Sequence, residues 1–438
     1  MILGNFQIKL FARTLVLVVI LFLCGCATNP ATGRSQLALM SMSAEEEVSI
    51  GKNMFPKVVQ KMGGEYPDVE LQNYIQAVGH RLKESGYRKD IDYTFKVVNE
   101  SAPNAFAMPG GYVAITRGLL LSLESEEQLA AVLGHEIGHV DARHALQGLQ
   151  RSNLLDLGLA VLSGVAGSSQ YAGLIRSSGD VAATLVDRSY SRGQEEESDR
   201  LGIDYMVKSG YDPQGAVELQ NIFNQKIDSR KDPGWIEGLF RTHPFSKKRF
   251  EKNRAYIVAN YPDIRIADDG NSNGFMIATK RLRNAGPAYE KYDQARKVEK
   301  GESPEKAIGL YLEAAALAPE EALILTGLGL AYLRLEDSVS AKQHLARAVK
   351  LDGNYYLSRL GLAYSYLNKG NFTKTIYHAE KSFLMLPTVE AAYLSARGHD
   401  GDGQSEKAIE LYRVVENTAP ETRMGKHAAA RIINLEGS

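Results

Sequence analysis

The chain has 438 residues, with 51 Lys plus Arg against 52 Asp plus Glu and a formal charge of −1. At roughly 100–200 residues per domain this length implies two to four domains, and the even charge argues against a general nucleic-acid binder, which needs a basic footprint to neutralise phosphates. Apolar residues at 44% and charged residues at 24% exclude wholesale disorder, and the two cysteines, Cys24 and Cys26, sit too near the N-terminus to build a disulfide framework or a Cys-based zinc site in the body of the chain. Any metal must be held by His, Asp or Glu.

Lys9 and Arg13 precede the apolar run 15–23, which is too short to span a bilayer and has the character of a secretory h-region. Leu23-Cys24-Gly25-Cys26 resembles the bacterial lipobox, which makes residues 1–25 a lipoprotein signal peptide and Cys26 the acylated first residue of the mature chain. Ala27 after that cysteine, in place of Asp, points to the periplasmic face of the outer membrane. Residues 26–42, with Asn-Pro and Thr-Gly, read as a flexible tether.

Residues 92–99 alternate Tyr93, Phe95 and Val97 with more polar neighbours, the period of a half-buried strand. Pro109-Gly110-Gly111 then turns the chain into a second strand over 112–116, so a small sheet precedes the next helix. Ser125-Glu126-Glu127-Gln128 has the form of a capping box, with Ser125 as N-cap. Leu129, Val132, Leu133, Ile137 and Val140 follow at helical spacing and define a buried stripe.

Within that helix lies His135-Glu136-Ile137-Gly138-His139. Residues four apart stand one turn above each other, so both imidazoles can reach one metal ion, with Glu136 placed as general base beside an activated water. A catalytic site generally needs a third protein ligand. Ala145 occupies the place where a metzincin carries its third His, and on a continuous helix His144 would point away from His135. The better source is 194–202, Gln-Glu-Glu-Glu-Ser-Asp-Arg-Leu-Gly, where Glu195 and Asp199 share a helical face. Glu195 can ligate the ion while Asp199 accepts a hydrogen bond from a ligand imidazole, although spacing alone does not choose among Glu195, Glu196 and Glu197. Residues 153–174 form an apolar, Gly- and Ser-rich stretch too short and too polar at Asp156 for a stable span. It reads either as a buried helix over the cleft or as a surface helix touching membrane or a membrane-protein client.

Ala267 to Gly274 is polar and Gly-rich, a surface loop or linker. Beyond about Gly286 the chain reads as almost wholly helical. Ala307, Ala341, Thr375 and Ala408 recur at a period of about 34 residues, each followed by a breaker, Pro319, Gly353, Pro387 or Pro420. Tyr332 and Tyr366 share the same spacing. This is the pattern of tetratricopeptide (TPR) repeats, which bind peptides or partner proteins on a concave face and perform no chemistry.

His-Glu-x-x-His followed by Glu-x-x-x-Asp-x-x-Gly, and preceded by Asn104-Ala-Phe-Ala-Met-Pro-Gly-Gly-Tyr112, resembles metallopeptidase family forty-eight, which includes HtpX and the CAAX prenyl endopeptidases. The resemblance covers about Ser43 to Pro262. It implies one Zn2+ per chain held by His135, His139 and Glu195, with Glu136 as base and Asp199 behind the ligands. Ser198 departs from the usual Ala between the Glu and the Asp. Arg241-Thr-His243-Pro244 with Arg249 resembles a further family segment, which implies that His243 either caps the zinc in a self-inhibited state or stabilises the oxyanion, with Arg249 supporting the same pocket. Asn104, Ala105, Phe106 and Ala107 are expected to form the edge strand on which an extended substrate adds.

The expected architecture is α+β and predominantly helical: a zincin-type metalloprotease domain with a small β-sheet at 43–265, a linker at 266–285 and an all-α TPR solenoid at 286–438. The expected function is a zinc-dependent endopeptidase of the cell envelope acting on misfolded or misassembled outer-membrane and periplasmic proteins presented by the array. The expected partners are those unfolded clients, the outer-membrane assembly machinery through the array, and the membrane through the N-terminal lipid, with no nucleic acid. The alternative is a non-proteolytic, lipid-anchored TPR chaperone or adaptor.

Overall fold

The computed structural model describes residues 26–33, 35–37, 42–151, 189–229, 238–239, 241–244, 246–262, 264, 271–300 and 303–437. The signal segment 1–25 and the apolar stretch 153–174 lie outside the described residues. The segment read as a tether contributes β1 (Cys26–Thr28) and β2 (Ser35–Leu37), which pair antiparallel. Its anchor is Asn29, whose buried side-chain amide donates to the Asp141 carbonyl at 3.0 Å while its Oδ1 accepts from the Ala31 and Thr32 amides. Sequence composition gave no sign of that long-range bond.

The first domain is built around α1 (Ala44–Lys61), α2 (Val69–Lys83), β3 (Thr94–Val98), β4 (Ala105–Met108) and β5 (Tyr112–Thr116). The strand order is β3-β5-β4, with β3 parallel and β4 antiparallel to β5, so β4 is an edge of the sheet among the described residues. The turn between β4 and β5 needs its glycines: Gly110 and Gly111 have φ of 80° and 86°, a region that L side chains rarely occupy.

A short helix, α3 (Arg117–Leu120), leads to α4 (Glu126–Asp141), which carries the His-Glu-x-x-His motif. Ser125 is its N-cap, accepting from the Gln128 amide at 3.2 Å. The reciprocal half of the expected capping box is absent, because the Gln128 side chain accepts the Glu124 amide instead. The whole predicted stripe from Leu129 to Val140 is buried. The helix stops at Asp141, whose carboxylate accepts from the Tyr93 and Tyr205 hydroxyls and the Tyr87 amide. Arg143, at φ 57°, turns the chain before α5 (His144–Arg151) begins.

After the undescribed stretch come α6 (Arg192–Lys208), α7 (Gln214–Ser229) and α8 (Lys247–Asn260). Ser191 and Gln194 close a full capping box on α6. Helix α6 lies directly on α4 because the facing positions are small. A methyl group at Gly202 would come within 2.8 Å of the His135 amide nitrogen, and one at Gly138 within 3.0 Å of the Ser198 Cα. That close approach brings the carboxylates of α6 to the histidines of α4.

The expected linker is helical where it is described, in α9 (Asn271–Ala278) and the start of α10 (Lys280–Lys300). Phe275 and Leu282, which follow the polar stretch, are wholly buried in the core that also holds Leu129 and Leu133, while Asn273 within that stretch is exposed. The array continues through α11 (Pro304–Leu317), α12 (Ala322–Arg334), α13 (Ser338–Leu351), α14 (Tyr356–Leu367), α15 (Phe372–Met385), α16 (Val389–Gly401), α17 (Ser405–Thr418) and α18 (Arg423–Glu436). Ala307, Ala341, Thr375 and Ala408 are fully buried, and the four breakers fall between helices, the TPR-like solenoid that the period predicts. Tyr332 and Tyr366 stack on His344 and His378, both at 5.6 Å between ring centroids.

The array shares an apolar core with the first domain, in which Tyr311, Leu328 and Tyr355 join Leu71 and Leu129, and polar side chains add to that contact. Gln60 donates to the Asn354 carbonyl at 2.7 Å and accepts from the Tyr356 amide at 2.8 Å. Glu321 accepts from Tyr66 and Tyr289, and Arg117 lies 3.6 Å from the centre of the Tyr289 ring.

Candidate metal centre and active site

One ligand atom from each of His135, His139, Glu195 and His243 lies within 4.8 Å of the others. The His139 and His135 Nε2 atoms are 3.0 Å apart, and His243 Nδ1 stands 3.3 Å from His135 Nε2 and 3.1 Å from Glu195 Oε1. Three imidazole nitrogens and a carboxylate oxygen converging in this way form a donor set that suits a divalent cation of zinc type. Glu136 Oε2 and His243 Nε2 are buried and have no hydrogen-bond partner, and His243 Nε2 stands 3.5 Å from the other Glu136 oxygen, Oε1, so both groups border the convergent set. The residues therefore fit the metal that the motif implies.

The three consecutive glutamates part company. Glu195 joins the cluster, Glu196 pairs with Lys252 at 2.6 Å, and Glu197 pairs with His144 at 3.1 Å. Asp199 Oδ1 lies 2.8 Å from His135 Nδ1, the nitrogen turned away from the cluster. Behind Asp199, Arg249 donates through Nε at 2.9 Å and Nη2 at 2.7 Å, and Asn253 donates at 3.0 Å. Arg249 also reaches Glu195 Oε2 at 2.6 Å. Ser198 is fully buried at the contact with α4, where a small residue is required.

Burial acts to raise the Asp199 pKa, but the Arg249 guanidinium and the bond to His135 hold it well below the usual carboxylate range. Burial is also the main reason that Glu136 is raised. It pushes His243 the other way, yet the Glu195 and Glu136 carboxylates beside it carry that imidazole up to about 9.

Two neighbours of His139 escape a reading by spacing. His144 Nδ1 stands 3.0 Å from His139 Nδ1, because the break at Arg143 ends the helical phase by which His144 was set on the side away from His135. It sits behind the ligand and outside the convergent set. The Tyr190 ring lies 3.9 Å from the His139 ring, and no motif marks it. Asn104, Ala105, Phe106 and Ala107 are all buried at the sheet edge, and the Thr242 hydroxyl donates to Asn104 Oδ1 at 3.2 Å. The segment that carries His243 is thereby held against the start of β4.

A helix bearing His-Glu-x-x-His, packed against a second helix that supplies a carboxylate and its supporting aspartate, defines the zincin class of metallopeptidase site. Residues 70–257 match Peptidase family M48, and the chain carries a domain of that family. The chain is 33% identical over 249 residues to the beta-barrel assembly-enhancing protease of Escherichia coli strain K12, covering 52% of this chain and 50% of that protein. It is 31% identical over 166 residues to metalloprotease YcaL of the same strain, covering 38% of this chain and 62% of that one. The chain thus spans about half the length of the beta-barrel assembly-enhancing proteases it matches. Among solved structures, the TPR protein YrrB is 18% identical and covers 48% of this chain and 97% of its own, with a TM-score of 0.30. The repeat architecture rests on the run of short helices, the buried residues at the 34-residue period and the breakers between helices. No helix among the described residues is long and apolar enough to cross a membrane.

Proposed function

We propose that the chain is a zinc-dependent endopeptidase of the cell envelope, with residues 43–265 as the catalytic unit and 286–438 as a client-binding array. The convergence of His135, His139, Glu195 and His243 beside Glu136 carries this reading. His135, His139 and Glu195 would hold the ion, whose Lewis acidity would polarise the scissile carbonyl and lower the pKa of water. Glu136 takes the proton of the attacking water and delivers it to the departing amine. Asp199 fixes the tautomer and orientation of His135, and Arg249 keeps Asp199 ionised and in place. An extended substrate adds as a strand beside Asn104–Ala107.

His243 serves as a resting cap, supported by its Nδ1 in the ligand cluster and by the bond from Thr242 to Asn104. The names of the relatives point to misassembled outer-membrane proteins and their assembly machinery as clients, and a lipid on Cys26 would place the enzyme at the periplasmic face of the outer membrane. The test is metal analysis and casein cleavage by the purified chain and Glu136→Gln. Wild type should hold one zinc per chain and cleave, while Glu136→Gln should keep zinc and fold yet lose nearly all cleavage. Cleavage by a pure Glu136→Gln sample would overturn the assignment, and a wild type with zinc but no cleavage would favour the adaptor reading.

A further inference from the structure

Beside the catalytic cluster lies a cavity of about 70 Å³ that the motif residues leave unexplained. Val132, Met206, Leu219 and Phe223 line it, and His135, Glu136 and His243 line it too, so it adjoins the reacting centre. Asp199, Arg249 and Asn253 also border it but are paired with one another, which leaves Gln220 as the polar side chain of the lining that lies outside the network of the centre. Gln220, on α7, is 7% exposed, and its Oε1 is shut from solvent with no hydrogen-bond partner among the described residues. An unpaired buried carbonyl oxygen is costly, and native structures hold few of them. Ala216, Leu219 and Phe223 share its side of the helix, so an apolar residue would have completed the wall at no such cost.

We propose that this cavity receives the substrate side chain flanking the cleaved bond, and that Gln220 makes it select threonine or serine over an aliphatic residue of equal size. The inference rests on the peptidase reading and names the substrate class for the same site. Size sets one limit: an apolar cavity of about 150 Å³ accommodates a benzene ring, roughly twice the space present, so aromatic side chains are shut out. Chemistry sets the other. A threonine hydroxyl can donate to Gln220 Oε1 or accept from its amide, whichever way the amide is turned, while the methyl group lies against the aliphatic wall. Valine has the same shape but leaves the amide unpaired. A wholly apolar pocket separates such isosteres poorly, whereas a pocket with a buried hydrogen-bonding group rejects the analogue that cannot pair.

The test uses the zinc-loaded full chain and matched peptides carrying Thr, Val or Phe immediately before or immediately after the cleaved bond, with cleavage positions read by mass spectrometry. At one of the two positions kcat/KM should favour Thr over Val by about tenfold, the value of one buried hydrogen bond, with Phe the poorest. Gln220→Leu should abolish the Thr/Val preference with no fall in Tm, since it removes an unpaired polar group. Cleavage-dead Glu136→Gln should bind the Thr peptide more tightly than the Val peptide in calorimetry, a difference that Gln220→Leu in that background abolishes. A wild type that cleaves Val or Phe peptides as well as Thr at both positions overturns the subsite and leaves the peptidase reading intact. So does a folded Gln220→Leu with an unchanged ratio. Absence of cleavage of every peptide, with zinc bound, removes the peptidase reading and this inference with it.

Discussion

In the metal centre, Arg249 meets Asp199 across 50 positions of the chain and His243 meets Glu195 across 48. In the repeat array, Tyr412 meets Asp400 across 12, and Thr326 meets Ser358 across 32, a little under one repeat. The first region buries charge and pairs it through contacts that exist only when the whole domain is folded. The second buries apolar and small residues, with Ala, Gly and Ser recurring where neighbouring helices touch; a methyl group at Gly329, for example, would come within 2.5 Å of Leu345 Cγ. A buried charge network breaks as a unit when one partner is lost, whereas a solenoid absorbs change repeat by repeat. The centre is therefore built for one geometry and the array for graded adjustment.

The sharpest way to break that contrast is Asp199→Ala. It strips Arg249 and Asn253 of their shared acceptor and leaves a buried guanidinium with Glu195 as its one remaining carboxylate partner among the described residues. Removing one partner of a buried pair costs about 3–5 kcal/mol, so the metal-free variant should show a matching drop in unfolding free energy by urea titration, and zinc affinity should fall about 10–100-fold. A drop below about 1 kcal/mol would mean that the network is no more cooperative than a surface pair.

His243→Ala probes the same centre without touching the Asp199–Arg249 pair. Cleavage of casein should rise several-fold as the cap is removed, while unfolding of the array stays as in wild type. Unchanged or lower cleavage would favour the oxyanion role for His243.

The smallest effect belongs to the array and depends on pH. Burial, assisted by Arg359 and Lys374, pushes His378 from 6.5 down to about 4. The unfolded chain then binds a proton between those values that the folded array does not, so this contribution to stability is complete above about 6.5 and is lost as pH falls toward 4. Thermal melts from pH 7.5 to 5 should show Tm falling on the acid side. His378→Phe, which keeps a ring against Tyr366 and removes the titration, should flatten that fall; an equal slope would assign it to other groups.

Much of this architecture could be read in advance because its causes are local. Ser125 begins the motif helix, the stripe from Leu129 to Val140 sets its buried side, and Ala307 to Ala408 mark the repeats, all by interactions within a few residues or one repeat. The same local logic set His144 apart from the ion, and it does stand outside the convergent set, but it did not foresee that the break at Arg143 brings His144 to 3.0 Å from the far nitrogen of His139. It also read the start of α9 as a loop or linker, where the chain is helical from Asn271 and the next residue after that stretch, Phe275, is buried.

The amino-acid order by itself determined the His-Glu-x-x-His helix, the carboxylate-bearing helix that answers it, and the 34-residue repeat, because periodicity and capping act over short stretches of chain. Only the tertiary structure decided which of three adjacent glutamates faces the histidines, that His243 joins them, and that Gln220 stands unpaired in the neighbouring cavity. Those outcomes depend on how closely α4 and α6 approach across Gly138, Ser198 and Gly202 and on what α7 lays over them. Such distances are set by packing between segments far apart in sequence, which no spacing rule encodes.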